Sequence, residues 1–164
     1  NGYAMSVVMG SEKVMQAAQS TFISSTNWTD RIGPTAALAT LKKYQCEYVD
    51  KHMIEIGNKV KEIWKTSAAN AGLMVNVTGL PSLAAFAFQS PKSMEMNTRF
   101  TIEMLKKGFL GFRQFKPSHA HSQSDLNRYA IAVSNVFECI AADPECLALD
   151  TAKHHGGFQR LTKE

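Results

Sequence analysis

Gly33-Pro34-Thr35-Ala36-Ala37-Leu38-Ala39-Thr40-Leu41 opens the stretch on which the reading of the fold turns. Pro34 stands where a first helical residue belongs, because its missing N–H is one that a helix start does not use. From there apolar residues recur at Leu38, Leu41, Tyr44, Tyr48, Ile56, Val60, Ile63 and Trp64 in steps of three and four, and the pattern stops at Gly72. The spacing predicts one long helix over 34–72. Unbroken, it would run about 55 Å, while a 164-residue globule is only about 40 Å across. It is therefore expected either to kink, with Gly57 as the point, or to bridge to a domain outside these residues.

Upstream of that helix, Met5-Ser-Val-Val-Met9 reads as a strand closed by Gly10-Ser11. Ser11 then caps a short helix over Glu12 to Ala18, and Thr21-Phe-Ile-Ser24 is a second extended segment leading into a polar loop, Ser25 to Gly33. A strand with no predecessor and a helix too long for its own domain both point to a piece of something larger. Downstream, Leu73-Met-Val-Asn-Val77 and Ser82-Leu-Ala-Ala-Phe-Ala-Phe88 flank a Gly79-Leu-Pro81 turn and read as two strands of one sheet. Ser93 precedes a helix closed by Lys106-Lys107-Gly108, and Phe109-Leu-Gly-Phe-Arg113 is a return strand. Ser124-Asp125 then cap a helix through Leu126, Tyr129, Val133, Phe137 and Ile140. The order of elements is α/β, with the character of an α+β fragment.

Composition bounds the function. With 45% apolar residues and 18 Lys+Arg against 14 Asp+Glu, the chain has the makings of a globular core and is not disordered. Its longest apolar run, Leu83 to Phe88, is far short of the roughly 20 residues that cross a bilayer, so no membrane partner is expected. Acids and bases interleave from Lys42 to Lys65 as on a solvated helix face, and no polybasic block suggests nucleic acid. Cys46, Cys139 and Cys146 are odd in number and lack Cys-x-x-Cys spacing, which fits reduced thiols in a cytoplasm.

Few residues carry chemistry. His119-x-His121 has no carboxylate or thiol close by except Asp125, which suits a helix cap better, so no metal site is expected. His154-His155-Gly156-Gly157 is followed by no helix pattern and reads as a turn. No nucleophile elbow, dinucleotide fingerprint or paired-carboxylate pattern is present. The loop before Pro34 differs: Ser24, Ser25, Thr26 and Thr29 supply four hydroxyls next to a helix start, where N–H groups and the dipole favour an anion such as phosphate. The same residues also suit an ordinary cap-rich loop.

Asn1-Gly-Tyr-Ala-Met5 and Phe22-Ile-Ser-Ser-Thr-Asn-Trp-Thr-Asp-Arg-Ile-Gly-Pro-Thr-Ala-Ala-Leu-Ala-Thr-Leu41 resemble class III pyridoxal-phosphate (PLP) aminotransferases of the glutamate-1-semialdehyde aminomutase type. The Thr78-Gly-Leu-Pro81 turn, Met104-Leu-Lys-Lys-Gly-Phe-Leu110, His121-Ser-Gln-Ser-Asp-Leu126 and Gly157-Phe-Gln-Arg-Leu-Thr162 extend the resemblance over nearly the whole chain. It implies a fold-type I transferase, with residues 1–33 as the end of the PLP-binding large domain, 34–72 as a connecting helix and 73–164 as the C-terminal small domain. The cofactor lysine of the family's Lys-Ala-x-x-Asn-Gly motif would then lie just upstream of Asn1, leaving no catalytic residue in this chain. By the same resemblance, a threonine of the loop reaches the phosphate of the partner's cofactor in a homodimer. An ungapped match to Pro34 makes it Thr29, with Thr26 as the alternative and Ser25 beside it. Arg113 would pair with a substrate carboxylate, the substrate being a small amino donor or acceptor. The reading from another class is a non-catalytic α/β interaction or dimerisation domain.

Overall fold

The computed structural model describes residues 2–23, 26, 27 and 29–145. It divides into two units, 1–49 and 50–164. The division falls inside the stretch expected to form one long helix.

In the first unit, α1 spans Glu12–Ala18, as expected, though Ser11 serves it through its carbonyl, which accepts from Met15 N at 2.9 Å, and not through a side-chain cap. Met5 to Met9 do not form a strand. Their β-favouring side chains are exposed, Met9 at 85%, because a strand needs a paired neighbour to satisfy its backbone and none is offered to them here. The expected extended segment at Thr21 to Ser24 is likewise without strand pairing over Thr21 to Ile23, and Ser24 lies outside the described residues.

The second helix, α2, runs Ile32–Cys46, and α3 runs Val49–Ala71. The predicted single helix is thus interrupted, and the break is at Glu47 and Tyr48, not at Gly57. Tyr48 has φ 49°, a left-handed backbone that ends the α2 hydrogen-bond ladder after Glu47 N reaches Lys43 O. Pro34 is the third residue of α2 and not the first, a first-turn position where its missing N–H still costs nothing. Gly57 has another task. A Cβ there would stand 1.9 Å from the Pro81 carbonyl oxygen, so the glycine lets the turn after β1 lie directly on α3.

Past Gly72 the second unit builds an antiparallel sheet in the order β1-β2-β3, from Val75–Thr78, Ala84–Phe88 and Gln114–Phe115. Val75 pairs with Phe88 and Thr78 with Ala85, while Ala84 pairs with Phe115. The first two strands are those expected. The third lies beyond the predicted Phe109 to Arg113; only the Arg113 carbonyl joins the sheet edge, accepting from Phe86 N at 2.9 Å. A single 3-10 turn, Pro81–Leu83, joins β1 to β2. Helices α4, Ser93–Lys106, and α5, Gln123–Ala142, complete the unit. The α5 cap is Ser122, two residues earlier than the expected Ser124. Its Oγ accepts from Asp125 N at 3.2 Å and Asp125 Oδ2 accepts from Ser122 N at 2.9 Å, a reciprocal capping box.

The alternation Ala84, Phe86, Phe88 puts one face of β2 into the core. Three helices cover that face: Phe86 meets Trp64 of α3 at 4.9 Å, Phe100 of α4 at 5.1 Å and Phe137 of α5 at 5.7 Å between ring centroids. On α3 the stripe is Ile56, Val60, Trp64 and Ala68, four residues apart each time. The result is one layer of helices on one antiparallel sheet, so the second unit is α+β and not an alternating parallel α/β fold. No helix among the described residues is long and apolar enough to cross a membrane.

Candidate functional site

The hydroxyl-rich loop sits at the entry to α2. Thr26, Asn27 and Thr29 lie in turns and are exposed; Ser25 falls outside the described residues, as do Ser24 and Trp28. Asn27 O accepts from Asp30 N at 3.1 Å, and Asp30 Oδ1 accepts from Ile32 N at 2.9 Å. A carboxylate of the chain itself therefore occupies the first free N–H of α2. Pro34 has no N–H to offer, and Thr35 N is already bonded to Arg31 O. The helix start therefore keeps fewer free N–H groups for an anion than a bare one would, that of Gly33 among them. A phosphate at this loop would be met by the Thr26 and Thr29 hydroxyls, which have the right chemistry for its terminal oxygens, more than by the helix end. The intervening Asp30-Arg31-Ile32 is what turns the helix start inward on itself, with Thr35 Oγ1 closing onto Arg31 O at 2.7 Å.

In the second unit, the segment after α4 bends around a cleft of 350 Å³ lined by Phe109, Phe112, Phe115 and Tyr129, with Lys116, His121 and Asp125 among its polar residues. Sequence reasoning missed it. The signal was present as Phe109, Phe112 and Phe115, aromatics three apart that run through and beyond the Phe109 to Arg113 segment read as a strand, a spacing that alternation does not produce. Arg113 lies between these aromatics in sequence but is not among the residues that line the cleft. Its guanidinium stands 5.6 Å from the Phe112 ring centroid, a cation–π position that leaves its donors available. The Arg128 guanidinium takes the same position over Phe109, at 5.8 Å.

Two groups of the cleft, Tyr129 and Asp125, bind and shape without moving protons near neutrality. Burial pushes the Tyr129 phenol up to about 12, against the opposing effect of Trp64 Nε1, which donates to its oxygen at 2.9 Å. The Ser122 hydroxyl, followed by the Ser122 N–H, holds the Asp125 carboxyl below its ordinary value, with further help from Arg128 and His121. Tyr129 stays protonated and Asp125 stays ionised and engaged in its cap, so neither is a general acid or base at pH 7. Among the described residues no cluster of three or more His, Cys, Asp or Glu could hold a metal ion. Cys46 and Cys139 are free, and Cys146, His154 and His155 lie outside the described residues.

The fold finds relatives. No protein-family profile matches the chain. In sequence it is 22% identical over 145 residues to the aminopentol aminotransferase of Sphingopyxis macrogoltabida, a match that covers 87% of this chain and 34% of the relative. A solved structure, the PLP internal aldimine form of the FumI protein of Sphingopyxis sp. MTA144, superposes with a TM-score of 0.75 at 20% identity, over 84% of this chain and 34% of that one. The described chain thus shares its fold with part of that enzyme and spans about a third of the length of the relatives it matches.

Proposed function

We propose that these residues correspond to the C-terminal third of a PLP-dependent class III aminotransferase or aminomutase of fold type I, acting as a cytoplasmic homodimer on a small amino donor or acceptor. The observation that carries this reading is the superposition of most of this chain on a third of a PLP-bearing chain, at a TM-score of 0.75. The residues quoted around Pro34 support it independently. When bound, PLP supplies the electron sink for bonds made and broken at the substrate's α-carbon.

The work of this chain is to bind and to shape. The Thr29 hydroxyl donates to a phosphate oxygen of the partner subunit's cofactor, with Thr26 as the neighbouring candidate and Ser25 within the same loop. With Asp30 occupying the α2 start, these hydroxyls carry the contact without much help from the helix dipole. Arg113 pairs with a substrate carboxylate, for which its stacked guanidinium leaves a planar pair of N–H donors. The lysine that holds PLP lies outside residues 1–164, and the isolated chain is inactive.

The test is made on the intact protein. Thr29→Ala is expected to raise the dissociation constant for PLP about 10- to 100-fold, the loss of one hydrogen bond to a charged group, read by equilibrium dialysis. If Thr26→Ala weakens retention and Thr29→Ala does not, the contact belongs to Thr26. An intact protein that neither retains PLP nor transfers an amino group overturns the reading in favour of a non-catalytic interaction domain. Arg113→Met is expected to raise KM for carboxylate-bearing substrates by at least about tenfold while leaving uncharged amines unaffected; equal effects on both would remove Arg113 from the substrate site.

A further inference from the structure

Three histidines meet where the loop before α5 crosses α3. His52 Nε2 lies 3.0 Å from the His121 carbonyl oxygen, and because a carbonyl only accepts, that nitrogen carries a hydrogen. The rings of His52 and His119 stand edge to face at 5.4 Å. The third histidine is the informative one. His121 Nδ1 accepts from the Ser118 backbone N–H at 2.9 Å, while His121 N donates back to Ser118 O at 3.1 Å. A ring nitrogen that accepts a backbone N–H has no hydrogen of its own, so this turn is built on the neutral Nε2–H form of His121.

We infer that His121, which lines the aromatic cleft, is a pH-sensitive latch: its neutral ring closes the Ser118–His121 turn, and protonation opens that turn. A proton on Nδ1 would face the Ser118 N–H at hydrogen-bond distance, donor against donor, and the backbone bond must break. The Ser118 hydroxyl, 3.3 Å from Nδ1, can reverse its role and accept from the protonated ring, so the backbone contact is what acidification removes. From α5, Asp125 favours the imidazolium, Arg128 acts on that same Asp125 carboxylate, and Tyr129 stays neutral. From α3, His52 faces the His121 carbonyl, flanked by Glu55, which is ion-paired to Lys59 at 2.6 Å. On the loop itself, the other ionisable side chains are those of Lys116 and His119. Phe115 contributes its ring, 5.1 Å from His121. The latch belongs to the packing of the second unit and stands whether or not the chain meets PLP.

Hydrogen exchange at the Ser118 amide, measured on the intact protein and corrected for the intrinsic pH dependence of exchange, reads the turn directly. Protection is expected to fall about tenfold between roughly pH 8 and pH 5, with Phe86 N, bonded to Arg113 O, unchanged as an internal control. Labelling histidine with 15N reports the tautomer without any substitution: Nδ1 of His121 is expected to be unprotonated at the higher pH. His121→Phe keeps a ring against Phe115 and is expected to leave Ser118 unprotected at both values, whereas His119→Ala is expected to retain the pH dependence. A protonated Nδ1 at the higher pH, or Ser118 protection that stays constant while His121 titrates, overturns the latch. So does a pH dependence that disappears with His119→Ala.

Discussion

Two glycines and a serine show how differently single residues act on the same chain. At Gly57 the obstacle to a side chain is the Pro81 backbone, 1.9 Å from where a Cβ would be. Gly57→Ala is therefore expected to cost about 3 kcal/mol, at the upper end for overpacking. At Gly72, with φ 72°, a Cβ would meet nothing within 4 Å, and the cost of Gly72→Ala is only that of the left-handed backbone, about 1 to 2 kcal/mol. Chemical denaturation of the two variants separates steric from conformational cost, and equal values would contradict both assignments. Ser122→Ala removes one half of the α5 capping box and is expected to cost about 1 kcal/mol. The other half titrates. Because the Ser122 hydrogen bonds lower the Asp125 carboxyl in the folded chain, its contribution is complete above the ordinary carboxylate value of about 4 and is lost as pH falls through the lower folded value. A melting-temperature series at acid pH should lose that component in Asp125→Asn. The capping residues also show how far a sequence can be read: Ser122, Ser124 and Asp125 are all plausible caps by type, and the extended backbone at Ser122 with its reciprocal bonds to Asp125 marks the first.

At the scale of elements, periodicity succeeded where burial enforces it. The four-residue stripe of α3 and the alternation of β2 are visible in sequence because each must present one apolar face to the same core. It failed at the α2–α3 junction, where Tyr44 and Tyr48 continue the helical spacing across a residue whose backbone is left-handed. Side-chain spacing carries no record of a φ value that a non-glycine residue adopts. The end of α5 is held by a contact with no local signature. Arg99 of α4 bonds the Asp143 carboxylate and, through its other nitrogen, Cys139 Sγ at 3.3 Å. Burial works against the Arg99 charge, but the bonds to Cys139 and Asp143 outweigh it and raise the guanidinium above its ordinary value. With the two side chains only 12% and 21% exposed, Arg99→Leu is expected to cost about 1 to 3 kcal/mol. It should also quicken alkylation of Cys139 by a small thiol reagent; an unchanged rate would mean that Arg99 does not shield the sulfur.

Taken as a whole, the two units are unequal. The buried aromatic and aliphatic core, from Trp64 through Phe86, Phe100 and Phe137 to Ile140, belongs entirely to residues 50–145, while the described side chains of the first unit are largely exposed. Amides of α4 and α5 are expected to exchange far more slowly than those of α1 and α2 when residues 1–164 are studied alone; similar rates would mean that the first unit has stabilising contacts of its own. The candidate site follows the same division. Thr26 and Thr29 could be picked out by hydroxyl chemistry and resemblance, but the diversion of the α2 start by Asp30 could not, since an acid before a helix reads equally as a cap and as a neighbour of a bound anion. The unpaired run Met5-Ser-Val-Val-Met9 has a colloidal consequence. Exposed, β-prone and uncharged, it offers a ready edge for another copy of itself, so residues 1–164 expressed alone should precipitate in a concentration-dependent way. A single gatekeeper such as Val8→Lys should keep them in solution without altering the melting of the second unit.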